Sequence, residues 1–177
     1  MNPNPSVPAQ SAQEIFAEVY ARLKAMAAHH LAAVGPAARV DPTVLVHELF
    51  LRMDAQDGLA FEHPAQFFSY AAQAMRHLLL DLARSHRSQR AGGLWQHVTL
   101  TANNETLVLE SADQVIALDR ALESLAEVDA RAARVIELRY FAGLTSERAA
   151  EALGISKRTA DRDWTFALAF LKSELDG

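Results

Sequence analysis

Apolar side chains along most of this chain recur every three or four residues, the spacing that lines one face of an α-helix. Ile15, Val19, Leu23 and Met26 fall on one stripe, which predicts a helix near 14–33 that stops before Gly35 and Pro36. Asp41 followed by Pro42 reads as an N-cap with proline in the first helical position, where its missing N–H costs nothing. The helix it opens turns Leu45, Leu49 and Met53 inward. After a polar loop over 54–63, Pro64 starts a long helix to about Arg90, with Phe67, Ala71, Ala74, Leu78 and Leu82 as its buried stripe.

Gly92 and Gly93 end this half, and the helical period lapses. Val98 and Leu100 alternate around Thr99, and Leu107, Val108 and Leu109 form one apolar run. Both are too short to predict strands, so 92–114 reads as an extended, acidic linker with a strand-like stretch. Ser111 with Gln114 three residues on has the form of a capping box, and Val115, Leu118, Leu122 and Leu125 define the helix behind it. Asp129 caps another helix that ends near Gly143, and two more follow, at 146–153 and from Lys157 to about Leu175. The pattern predicts an all-α chain: two small helical bundles, 14–91 and 115–177, joined by a flexible acidic linker. The first thirteen residues hold three prolines and no charge and are expected to be a disordered arm. The arm lacks the basic start and apolar core of a signal peptide, and no apolar run is long enough to span a bilayer. A cytoplasmic chain with no membrane partner is expected.

The stretch 143–162 carries the sharpest pattern. Thr145 caps a two-turn helix in which Ala149, Ala150 and Leu153 face inward. Gly154 supplies a tight turn, Ile155 plugs the core, and Ser156 caps the next helix. That helix buries Ala160, Trp164, Leu168 and Leu171 and leaves Lys157, Arg158, Thr159 and Arg162 on its outward first turns. A helix-turn-helix needs this arrangement, because the start of the second helix enters the major groove while its other face is packed. An ordinary helical corner in a bundle would share the glycine and the cap but has no need of the basic face. Asp161 and Asp163 interrupt the cations, either trimming non-specific affinity or simply solvated.

Composition changes this picture in two ways. The 177 residues include no cysteine, which excludes disulfides, thiolate zinc sites, iron–sulfur ligation and cysteine nucleophiles. The formal charge of -5 opposes nucleic-acid binding at first sight. Its distribution answers that objection: residues 1–90 hold eight bases and eight acids, 91–118 three acids alone, and 119–177 nine bases and eleven acids. Arg76, Arg84, Arg87 and Arg90 face a single Asp81 in the last fifteen residues of the long helix, as a surface tracking a phosphate backbone should. A solvated face with an Asp81–Arg84 pair is the plainer reading.

No catalytic or metal constellation stands out. His47 and Glu48 lack the second histidine of a zinc-protease helix, His29 and His30 point to different faces, and His77 with Asp81 reads as a surface pair. With no glycine-rich phosphate loop and no nucleophile–base set, no enzyme activity, cofactor or metal is expected.

Four segments, 45–52, 67–84, 121–125 and 144–162, together make the chain resemble an extracytoplasmic-function (ECF) sigma factor of bacterial RNA polymerase. The resemblance implies that the first half binds the clamp helices of the polymerase largest subunit and opens the minus-ten element. Asp41, His47, Glu48 and Arg52 would meet polymerase, and Phe61, His63, Arg76, His77, Arg84 and Arg87 the minus-ten DNA. It implies that the second half reads the minus-thirty-five element through Lys157, Arg158, Thr159 and Arg162, while the linker threads toward the active centre. An anti-sigma factor is a further partner of this kind of protein. His77 stands where the family usually has Asn, so promoter preference does not carry over there.

The larger departure lies at 41–44. Family members typically begin that helix with Asp-Ala-Glu-Asp, and this chain has Asp41, Pro42, Thr43 and Val44. Two carboxylates are missing and a hydroxyl stands in place of one. Phosphothreonine carries about -1.5 to -2 charge, and a helix's first turn favours an anion. Thr43 is therefore a candidate regulatory phosphosite for a Ser/Thr protein kinase; the plainer reading is a residue that simply suits the start of a helix. Two other classes fit parts of the chain: a stand-alone helix-turn-helix transcriptional regulator and a protein-interaction adaptor. The first half discriminates, since a free regulator has no reason to carry the 67–84 pattern, whereas a sigma factor needs it.

Overall fold

The computed structural model describes residues 20–21, 24–25, 27–28, 46–47, 64–88, 98–102 and 105–177. Tyr20, Ala27 and Val46 are helical, and Ala27 and Val46 are fully buried. The stripe residues Ile15, Val19, Leu23, Met26, Leu45, Leu49 and Met53 lie outside the described residues.

Helix α1 (Pro64–Ser88) is the long helix expected from the sequence. His86 and Arg87 in its last turn complement the partial negative charge of its C-terminal carbonyls. Its buried face is wider than one stripe. Phe67 and Ala71 are buried as expected, but Ala74, Leu78 and Leu82 are only partly so, and Phe68, Ala72, Met75, Leu79, Leu80 and Ala83 complete the buried set. The reason is a second packing partner, because α1 also lies against helices of the other half.

The all-helical expectation needs one correction. Strands β1 (Val98–Ala102) and β2 (Glu105–Leu109) form an antiparallel hairpin, with Val98 opposite Leu109 and Leu100 opposite Leu107. Val98, Leu100, Ala102 and Leu109 are buried while Thr101 and Val108 face out, so a period of two drives the pairing. Each run is five residues long and buries its inner face only once paired and laid on the helices.

Four helices follow: α2 (Ala112–Val128), α3 (Ala130–Tyr140), α4 (Ser146–Leu153) and α5 (Lys157–Asp176). Their boundaries are set by side chains. Ser111 Oγ accepts from the Gln114 N–H at 3.2 Å, while Gln114 Oε1 reaches back to the Glu110 N–H at 2.5 Å. Asp129 ends α2 by donating its N–H to Leu125 O and starts α3 by accepting from the Arg131 and Ala132 N–H groups, at 3.1 and 3.0 Å.

Helix α3 is the hub, packing against α1, α2, α4, α5 and β1. It is buried on almost every side, from Ala132 through Tyr140 with only Arg134 exposed. One hydrophobic core runs from Ala27, Val46 and α1 through to Leu171 in α5, so the described parts of both halves share it. Among the described residues no helix is long and apolar enough to cross a membrane.

Candidate nucleic-acid interface

The turn between α4 and α5 is built as its residues dictate. Thr145 Oγ1 accepts from the Arg148 N–H at 3.2 Å and starts α4. Gly154 ends it in the left-handed region (φ 64°, ψ 31°), and the Ile155 N–H closes back on Ala150 O at 3.0 Å. A Cβ at Gly154 would meet nothing within 4 Å, so conformation alone makes glycine necessary there. Ser156 Oγ accepts from the Thr159 N–H at 3.1 Å and starts α5.

Behind α5, Trp164 is buried as expected, tilted against Tyr140 with ring centroids 5.0 Å apart. The Arg139 guanidinium lies 3.7 Å from the Trp164 ring centroid on its other contact, a cation–π arrangement with the arginine only 2% exposed. Burial pushes the Arg139 pKa down, opposed by the nearby Asp161 carboxylate. Burial also pushes the Tyr140 hydroxyl up to about 12.

In front, Lys157, Arg158 and Arg162 are exposed, as the helix-turn-helix pattern predicts. They differ in what holds them. Lys157 Nζ sits 3.3 Å from Glu147 and 3.5 Å from Asp161, and the Glu147 bond raises the lysine pKa. Asp161 also accepts from the Ser146 hydroxyl, the main reason its own pKa falls. Arg158 has no ion pair among the described residues. Thr159 is half-buried, and its hydroxyl shares a 2.8 Å hydrogen bond with Ser156, so it serves the cap. Asp163, expected among the outward residues, is only 3% exposed. Arg131 at the start of α3 grips it through Nε at 2.5 Å and Nη2 at 3.1 Å, and Arg162 lies 3.6 Å away. Its position one residue before Trp164 puts it at the edge of the packed face.

The second cationic surface lies on α1. His77, Arg84 and Arg87 are exposed, with Arg87 Nε 3.6 Å from Asp113. Arg84 and Arg87 line an open cleft of about 470 Å³ between α1 and α2, opposite Arg120 and Glu123. Arg76 does not join them. Its side chain is 13% exposed and points into the other half, with Nε 2.7 Å from Asp119 Oδ1, Nη1 2.8 Å from Glu137 Oε1 and Nη2 2.9 Å from Asp119 O.

Asp119, Glu137 and Arg120 had no place in the sequence-based site. The one signal was Glu137, a charge in step with the apolar positions of a short helix. Of the residues expected at polymerase, only His47 is described, helical and exposed. Asp41, Thr43, Glu48, Arg52, Phe61, His63 and Arg90 lie outside the described residues. No cluster of three or more His, Cys, Asp or Glu that could hold a metal occurs among the described residues.

A family model described as ECF sigma factor matches residues 8–177. The chain therefore belongs to the ECF sigma factor family, DNA- and RNA-polymerase-binding factors of transcription initiation with no catalytic activity of their own. No curated protein and no solved structure matches it.

Proposed function

We propose that this ECF sigma factor divides its work between its halves. Residues 14–91 bind the clamp helices of the polymerase largest subunit and open the minus-ten element, and residues 115–177 read the minus-thirty-five element, with 92–114 between them. The observation that carries this reading is the N-terminal end of α5. It presents Lys157, Arg158 and Arg162 to solvent while Ala160, Trp164, Ala167 and Leu171 are packed behind them, as entry into a major groove requires. Arg158 is the cation most available to a phosphate or a base edge, and Lys157 must first exchange exposed carboxylates for DNA. Such exposed pairs are weak, so a phosphate displaces them readily.

Polymerase engagement is set at Thr43. A Ser/Thr kinase that phosphorylates it restores the negative charge the 41–44 sequence lacks, at the start of a helix that stabilises it. Core polymerase binding by wild type, Thr43→Ala and Thr43→Glu tests this. Tight binding is expected of Thr43→Glu and of phosphorylated wild type alone, and equal tight binding by all forms ends the idea. Run-off transcription with core polymerase and genomic promoter fragments tests the function itself. Start-site-specific transcripts that need both chain and core are expected. An anti-sigma factor is a further partner that co-purification would reveal.

A further inference from the structure

Of the charged side chains of α3, Arg131 pairs with Asp163, and Arg134 with Glu137. Arg139, though only 2% exposed, has no ion pair among the described residues, and its Nε has no hydrogen-bond partner. Burial pushes its pKa down, and the Asp161 and Glu147 carboxylates act on it only through space. What the guanidinium does touch is the indole of Trp164, 3.7 Å from the ring centroid.

Packing alone does not explain a cation there. Methionine would fill a similar volume against the ring with no charge to desolvate, and replacing buried charges by apolar groups is commonly neutral or stabilising. The guanidinium adds direction, because a cation is drawn to the face of an indole and a planar one stacks on it. Tyr140, next to Arg139 in α3, holds the same ring with centroids 5.0 Å apart. Successive residues of a helix point about 100° apart, so the two side chains grip Trp164 from different directions. An indole gripped twice has one orientation, and that orientation fixes how far α5 is turned about its own axis.

The turn of α5 decides where its DNA-facing cations point. Arg158 and Arg162 precede Trp164 on this helix and are exposed. An α-helix with its side chains is about 10–12 Å across, so turning α5 by roughly 20° moves a side-chain tip by about 2 Å. A hydrogen bond to a base edge does not survive such a shift, whereas the attraction of a cation to the phosphate backbone largely does.

We propose that Arg139 is a positioning residue for promoter recognition, setting through Trp164 the rotation of α5 that aims Arg158 and Arg162 at base edges. The proposal rests on the minus-thirty-five reading above and names the residue that sets its geometry.

The test uses holoenzyme assembled from the full chain and core polymerase. Affinity is measured for the promoter found by run-off transcription and for the same duplex with its minus-thirty-five base pairs scrambled. Arg139→Met removes the charge and keeps the volume. Its urea midpoint should stay at or above that of wild type, while the ratio of the two affinities should fall about 10-fold, as for one lost bidentate base contact. The slope of log affinity against log salt should not change, because the phosphate contacts remain. In an Arg158→Ala background Arg139→Met should cost much less discrimination, since the contact it aims is gone. Arg139→Lys keeps a cation over the ring without the planar fork and should lose about 3-fold. It carries the same test should Arg139→Met fail to fold by circular dichroism. An unchanged ratio in the folded variants would overturn the proposal, as would a loss that is the same with and without Arg158. A wild-type holoenzyme indifferent to the scrambling would bring down the minus-thirty-five reading itself, and the proposal with it.

Discussion

Arg76 in α1 and Arg158 in α5 carry the same charge, and the sequence offers both to DNA. The structure treats them oppositely. Arg76 is clasped by two shielded carboxylates, while Arg158 stands exposed with no ion pair among the described residues. A basic residue therefore marks a nucleic-acid surface only when nothing nearer claims it. In this acidic chain that competition decides which cations are free, and the surplus carboxylates do the claiming.

The comparison breaks most severely if the scaffold behind α5 is removed. Trp164→Ala should cost about 3–5 kcal/mol of unfolding free energy, read from denaturant midpoints, and abolish promoter binding with it. The loss joins the cavity to the missing cation–π partner of Arg139, whose charge would then be left buried.

The next effect is one of pH. The Tyr140 hydroxyl, held up to about 12 by burial, stays protonated in the folded chain where an ordinary phenol ionises near 10. Between those values the unfolded chain loses a proton that the folded one keeps, so stability falls as pH rises through the window. The loss should approach 2–3 kcal/mol, roughly, and be absent in Tyr140→Phe, measured by urea unfolding between about pH 9.5 and 12.

Gly154→Ala sharpens the comparison at the turn itself. With nothing near the new Cβ, the cost is left-handed strain alone, about 1 kcal/mol. Denaturant midpoints should move by that much while promoter affinity changes little, since α5 keeps its Ser156 cap. Arg158→Ala has the smallest effect on the fold, within about 0.5 kcal/mol. It should still weaken DNA binding and reduce the slope of log affinity against log salt by roughly 1 if the contact is to phosphate.

Local features were legible in the sequence and distant ones were not. Ser111, Asp129, Thr145, Gly154 and Ser156 act on backbone groups within a few residues, so their types and spacing announce the helix ends they set. The hairpin was half legible. Val98–Thr99–Leu100 alternates, but strand pairing is a fact about two segments, and each alone is too short to declare itself. The inner face of α1 escaped because its second partner lies in the other half of the chain. For the same reason Arg76 resembled its exposed neighbours Arg84 and Arg87. Asp163 escaped because its charge suggests water, whereas its place beside Trp164 and opposite Arg131 decides its burial.

The unequal availability of the two arginines can be read directly by arginine-selective dicarbonyl modification of the free chain, resolved residue by residue by mass spectrometry. Arg158 should react fastest and Arg76 among the slowest, near the buried Arg139. Asp119→Asn with Glu137→Gln should bring Arg76 up toward Arg158 and leave Arg139 protected. Equal rates for Arg76 and Arg158 in the wild-type chain would contradict the account.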